Sequence, residues 1–186
     1  HLLAQSDLDE DQRENLGVLR FSATNLLSII NDILDFSKIE ADKIDLERTP
    51  FNLRHLLERV YKSHIAKAHE KGLGYHFSAD DHLPKQVIGD PTRLAQIANN
   101  LLGNAIKFTE KGSVRLLAQA TNQFKDGNPI IQFSIIDTGI GIEADKTDNI
   151  FEYFTQASSS TTRKFGGTGL GLAISKKLTE LQEGKI

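Results

Sequence analysis

The most regular apolar pattern runs through Leu16, Leu19, Ala23, Leu26, Ile30, Ile33 and Ser37, in alternating steps of three and four. Leu27 and Leu34 widen the stripe, while Arg13, Arg20, Asp32 and Lys38 fall outside it. A seven-residue period of this kind predicts one long helix, over roughly residues 10–42, and a seam made for another helix. It argues for a helical hairpin or a dimeric bundle; the plainer alternative is a helix packed only on its own domain. Asp9, followed three residues later by Gln12, predicts a capping-box start with acidic residues in the first turn. Residues 1–6 read as the end of a preceding helix, with a turn after them.

Beyond residue 42 the period breaks. Ile44, Leu46 and Thr49-Pro50-Phe51 predict a short strand. Asn52 is placed to cap a second helix over 53–71, which Gly72 and Gly74 end. Tyr75 to Ala79 alternates as a strand, and Pro84 to Gly89 reads as a loop with a short strand. Asp90-Pro91 opens the next helix, since proline suits the first helical position. Ser113–Gln123 and Ile130–Asp137 predict antiparallel strands, with Lys125-Asp126-Gly127-Asn128 as the turn. A helical unit, residues 1–45, thus precedes an α+β unit, residues 46–186.

Composition narrows the class. The 186 residues are 39% apolar with ten Phe, which suffices for a real core. A net charge of −3 gives no electrostatic case for nucleic acid or an anionic membrane. The absence of Cys excludes a disulfide framework, a thiolate nucleophile and a Cys-based zinc site. Six His show no metal spacing; His64 and His69, five apart on a predicted helix, are expected to be solvated surface residues. No apolar run reaches the length of a membrane span and no signal peptide is evident. The chain has no Met and starts in what reads as mid-helix, so a fragment of a longer protein is expected.

Chemistry concentrates in three places. In Asn100-Leu-Leu-Gly-Asn104-Ala-Ile-Lys107-Phe108-Thr109, the two Asn lie one helical turn apart and Lys107 shares their face. Leu101, Leu102, Ala105 and Phe108 supply the apolar side. Amide oxygens suit a hard cation such as Mg²⁺ and a lysine suits phosphate; a helix with an ordinary polar face is the plainer reading. In Asp137-Thr-Gly139-Ile-Gly141, a carboxylate ends a buried strand ahead of two glycines. Asp137 can accept from an exocyclic amine such as adenine N6, or simply close an Asx-turn. Gly166-Gly167-Thr168-Gly169-Leu170-Gly171-Leu172 opens an apolar helix with backbone N–H groups available to phosphate. The small, polar stretch 156–164 before it reads as a lid over a ligand or as a surface loop, with Phe151, Tyr153 and Phe154 as its anchors.

Taken jointly, in order and spacing, these strings resemble the N, G1, F and G2 boxes of sensor histidine kinases. Asp35-Phe-Ser-Lys-Ile-Glu40, at the end of the seam, is similar to the second helix of that family's dimerisation and phosphotransfer hairpin. The resemblance covers nearly the whole chain and is nearest to the hybrid kinases, which carry receiver domains. It implies an α+β fold of helices packed on one face of a mixed sheet, with ATP between helices and lid. Asn100 and Asn104 would hold Mg²⁺ on the phosphates, and Lys107 would touch a phosphate. Phe108 would lie near adenine or ribose, and Asp137 would read the adenine amine with Gly139 and Gly141 giving room. Thr168 and the backbone of Gly167, Gly169, Leu170 and Gly171 would meet the phosphates. The γ-phosphate would pass to a His and thence to an Asp of a receiver domain, the partner. The resemblance further implies a homodimer in the longer protein and a cytoplasmic location, with a parent that can be anchored in the inner membrane. No nucleic acid and no direct membrane contact of this segment are expected.

Hydrolytic ATPases of the wider superfamily carry Glu where Asn100 stands, and an amide cannot take a proton at neutral pH. Slow hydrolysis and transfer to another nucleophile are therefore expected. The family's acceptor string, His-acidic-Arg-Thr-Pro-Leu, does not occur; His1 lies about four turns too late and lacks its surroundings. Most of the first hairpin helix and the last strand pair, beyond Gly184-Lys185-Ile186, are expected to be missing, so no autophosphorylation in cis is expected. Gln182-Glu183 departs from the family's commoner Met-Gly without evident consequence. Two rivals stay open: a non-catalytic kinase-like module acting by heterodimerisation, which the intact boxes oppose, and a hydrolytic ATPase, which Asn100 opposes.

Overall fold

The computed structural model describes residues 9–147, 149–153 and 169–186. The chain divides between Lys43 and Ile44 into two units. The first is helix α1, Glu10–Glu40. Asp9 accepts from the Gln12 backbone N–H at 2.8 Å and Gln12 Oε1 accepts from the Asp9 N–H at 3.2 Å, so the capping box forms as its spacing predicts. Along α1 the seam residues Leu19, Leu26, Leu27, Ile30, Ile33 and Leu34 are all exposed, whereas Ile39 is buried.

The second unit is the α+β body. Strand β1, Thr49–Phe51, pairs antiparallel with β3, Val87–Gly89. Only the last three residues of the expected 44–51 strand are extended in a ladder, because their partner strand is equally short. Helix α2 runs Leu53–Glu70, capped by Asn52, whose side chain accepts from the His55 N–H at 2.9 Å. Strand β2, Gly74–Ala79, runs parallel to β4, Ser113–Lys125, and β4 runs antiparallel to β5, Asn128–Asp137. The sheet order is β2-β4-β5, so the sheet is mixed, as expected. Asp126 and Gly127 both have positive φ and form the two-residue hairpin turn, which lets both strands run further than their alternation alone predicts. Helix α3, Pro91–Phe108, crosses between β3 and β4. Two short 3₁₀ turns, Ala144–Lys146 and Asn149–Phe151, follow β5, and helix α4, Gly171–Leu181, closes the order.

The core lies between helices and sheet. Leu53, Leu56, Leu57 and Val60 of α2 meet Ala98, Leu102, Ala105 and Ile106 of α3 over Val114, Leu116 and Ala118 of β4. The three β4 residues are two apart and so line one sheet face. On α3, Ile106 is fully buried, whereas Leu101 and Phe108 are only half-buried; the apolar side of this helix is therefore turned slightly from the one expected.

Candidate functional site

Helix α3 carries the first candidate residues, and both of its ends are fixed by side chains. At its start Asp90, only 4% exposed, accepts from the Arg93 N–H at 2.9 Å with one oxygen. Its other oxygen takes the Glu47 N–H at 3.1 Å, tying the segment before β1 to the helix. At the far end Thr109, fully buried, donates its hydroxyl to the Ala105 carbonyl at 2.7 Å. Lys71 reaches over from the end of α2 and donates to the carbonyls of Ile106, Lys107 and Thr109 at 2.8, 2.9 and 3.3 Å. These are the carbonyls that a helix C-terminus leaves without partners, and a cation there also meets the negative end of the dipole. Nothing in the spacing of Lys71 marks it for this role, since its partners stand 35 or more residues away.

With α3 held, its two Asn side chains meet. Asn104 Nδ2 donates to Asn100 Oδ1 at 3.4 Å, as the one-turn spacing predicts. Asn100 Nδ2 donates in turn to Ser175 Oγ of α4 at 2.8 Å. Gly171, at the first position of α4, faces the same amide: a methyl placed on it would stand 2.4 Å from Asn100 Oδ1. Only glycine lets α4 begin so close to α3. Among the described residues no side chain caps α4, in contrast to α1, α2 and α3. Gly169, with φ of +72°, makes the bend before it.

The Asp137 loop docks on the other end of α3. Ile140 N–H donates to the Phe108 carbonyl at 3.3 Å, and a methyl on Gly139 would stand 2.5 Å from that same oxygen. Asp137 Oδ1 accepts from the Gly139 N–H at 2.8 Å, which is the Asx-turn foreseen as the plainer reading of this residue. A carboxylate has a second oxygen, so the turn leaves it able to accept from a ligand. Thr138 anchors the loop: its N–H donates to the Ser113 carbonyl at 3.1 Å and its hydroxyl accepts from the Ser113 N–H at 3.0 Å. Gly112, with φ of +112°, makes room for that hydroxyl. Gly141 has φ of +70°.

Lys107 is half-buried, with its ammonium 4.8 Å from the centroid of the Phe108 ring. Burial lowers its pKa below the usual lysine value, and the Lys67 ammonium of α2 lowers it further. His64 is not the solvated residue expected: it is half-buried, its Nδ1 lies 3.1 Å from the Val60 carbonyl, and its Nε2 faces Gly103 of α3. His69 is exposed, as expected. Phe151 lies under Lys176 of α4, whose ammonium is 5.9 Å from the ring centroid. Phe154, the stretch 156–164 and Gly166, Gly167 and Thr168 fall outside the described residues. Among the described residues no three His, Cys, Asp or Glu gather as a metal site, and no helix is long and apolar enough to cross a membrane.

Two motifs thus dock on the helix that carries the third: Asn100 meets α4, and Phe108 meets the Asp137 loop. The sequence profile of the histidine kinase-, DNA gyrase B- and HSP90-like ATPases matches residues 89–186, which contain all of them. The chain belongs to this family. Its relatives are sensor kinases. It is 44% identical over 185 residues to the signal transduction histidine-protein kinase BarA of Escherichia coli K12, and 45% identical over 186 residues to the sensor protein GacS of Pseudomonas syringae. Each match takes in 100% of this chain and 20% of the relative, so the chain spans about a fifth of the length of these curated relatives. The solved structure of full-length ShkA in complex with AMPPNP superposes with a TM-score of 0.75 at 38% identity, covering 96% of this chain and 36% of that one. The chain is thus similar to one region of these sensor histidine kinases, and its mixed sheet with packed helices is the fold of the ShkA neighbour.

Proposed function

We propose that the second unit binds ATP with Mg²⁺ and presents the γ-phosphate for transfer to a histidine, from which an aspartate of a receiver domain takes it. The observation that carries this reading is the seating of the Asn100 amide between Asn104 and Gly171, which joins the α3 motif to the glycine-rich start of α4. The ShkA neighbour is described with AMPPNP, a nucleotide. Asp137 would accept from the adenine amine, with Phe108 beside the base or ribose. The first turn of α4, with Gly169, Leu170 and Gly171, would give backbone N–H groups to the phosphates, as helix starts do. Gly167 and Thr168 would join them. The donor set fits a hard cation: the amide oxygens of Asn100 and Asn104 are suitable ligands, and Mg²⁺ commonly completes its shell with waters and phosphate oxygens. The cation would supply charge neutralisation at the phosphates.

The reaction asks little covalent help of this domain. Phosphoryl transfer proceeds mainly by positioning and charge stabilisation. Lys107 would supply one positive charge, kept close by its packing on Phe108. Asn100 cannot act as a general base, so water would not be activated and the phosphoryl group would be retained for a better nucleophile. The exposed apolar seam of α1 supports pairing with another helix, and hence a homodimer in the longer protein. The receiver domain and a cytoplasmic setting are part of the same reading.

The test has two parts. Calorimetry with ATP should give binding that strengthens with Mg²⁺ and falls for Asp137→Asn. Steady-state phosphate release should be slow; brisk hydrolysis would count against the assignment of Asn100.

A further inference from the structure

We infer that Ser175 is a positioning residue for Asn100, holding the N–H end of its amide while the positive start of α4 takes the oxygen end. The inference rests on the reading that Asn100 Oδ1 serves a phosphate-bound cation. An Asn side chain ends in two groups of nearly the same size and opposite character, and rotation of its terminal torsion by half a turn exchanges them. Only the first presents electrons to a metal ion; the second presents N–H protons. A site built on Asn therefore needs something to choose the rotamer.

A serine hydroxyl can donate or accept, so in this molecule the start of α4 makes the choice and Ser175 holds it in place. Ser175 is 2% exposed and lies one turn inside α4, and its Oγ receives the Asn100 Nδ2 proton at 2.8 Å. The oxygen end of Asn100 is thereby turned toward the first position of α4, against Gly171. An oxygen is favoured there, because the helix start is its positive end. The same oxygen takes the Asn104 Nδ2 proton at 3.4 Å. The three side chains thus form a directed relay, Asn104 to Asn100 to Ser175, in which each amide donates its N–H to the next residue. Its free ends are carbonyl oxygens: that of Asn104, and the remaining lone pair of Asn100 Oδ1. Both amides then face a cation with the correct atom before it arrives. Gly171 completes the arrangement by leaving room for the oxygen, and no other residue type does so at this distance.

The measurement is the gain in ADP affinity on adding Mg²⁺, by calorimetry in Mg²⁺ and in EDTA. It should be made for the wild type, Ser175→Ala, Ser175→Cys, Asn100→Ala and Ser175→Ala combined with Asn100→Ala. Urea unfolding reports that each variant is folded. Ala removes the acceptor and Cys replaces it with a weak one at similar size. Losing a hydrogen bond of this kind should reduce the metal-dependent gain by about three- to tenfold in both Ser175 variants, with affinity in EDTA unchanged. In the Asn100→Ala background the Ser175 change should do nothing further. An undiminished gain in either folded Ser175 variant would overturn the inference, as would an equal loss in EDTA or an additive loss in the double variant. A wild type with no metal-dependent gain would instead overturn the cation reading beneath it.

Discussion

Replacing Gly139 by Ala tests the packing of the Asp137 loop on α3. The new methyl would stand 2.5 Å from the Phe108 carbonyl oxygen, 3.0 Å from its carbon and 2.8 Å from Asp137 Oδ1, against an ordinary separation of about 3.5 Å. Both Phe108 atoms belong to the backbone of a helix whose end is held by Lys71 and Thr109, so the loop and its carboxylate yield before α3 does. The loop must move outward by about 1 Å, the shortfall in that contact. Such a shift lengthens the Ile140 N–H bond to Phe108 beyond use, a loss of about 1 kcal/mol. Overpacking adds about 1–3 kcal/mol. Asp137 would move with the loop, and displacements of this size lower the efficiency of a positioned group by up to about a hundredfold. Gly141→Ala is the control: a methyl there meets nothing within 4 Å, but φ of +70° makes it a strained position for alanine. That change should destabilise by only about 1–2 kcal/mol and leave Asp137 in place. Urea unfolding and calorimetric ADP affinity together read the difference. Gly139→Ala should lose both stability and affinity, and Gly141→Ala chiefly stability. Wild-type affinity in Gly139→Ala would refute the placement of the loop against α3.

Other expectations follow from the same contacts. Lys71→Met leaves three carbonyls at the end of α3 to solvent and should lower stability by about 1–2 kcal/mol by urea unfolding. Asp90→Ala removes both a helix cap and the tie to Glu47, and should lower stability by about 2 kcal/mol or more; Asp90→Asn should recover part of it. Leu102→Ala, at a fully buried position, should cost about 2–5 kcal/mol in the same assay. Nucleotide affinity should be full at neutral pH and fall as pH rises through the lowered pKa of Lys107, because the phosphate needs the ammonium form. Lys67→Ala removes one cause of that lowering and should move the fall to higher pH in a calorimetric series.

Much of this arrangement was legible in the chain, and the reason differs by element. The capping box of α1, the Asn52 cap and the Asp126-Gly127 hairpin all depend on neighbours within a few residues, so spacing alone reveals them. The Asn100–Asn104 contact is likewise one helical turn. The seam of α1 was legible as a period, yet its residues stand exposed, since a period says that a surface is made for packing and not what covers it. What the sequence hid is long-range. Lys71 finds its carbonyls 35 residues away, and Ser175 meets Asn100 from 75 residues away, with no pattern in either neighbourhood. The parallel pairing of β2 with β4 also leaves no local trace, because it depends on the crossover through α3. His64 departs from its expected solvation for the same reason: part of its environment is made by Gly103 of another helix. Asp137 shows the opposite case, where the local reading, the Asx-turn, is the one that the geometry shows. One oxygen closes the turn and holds the carboxylate still, which is compatible with the proposed role toward a ligand.

The measurement that bears most directly on the whole account is the calorimetric affinity of this chain for ATP and ADP, with and without Mg²⁺, beside Asp137→Asn. The site described here predicts saturable binding of both nucleotides, tightened by Mg²⁺ and weakened at least tenfold, by roughly 1.4 kcal/mol, when Asp137 is changed. Absence of nucleotide binding by the folded wild type, or binding indifferent to Asp137, would contradict it.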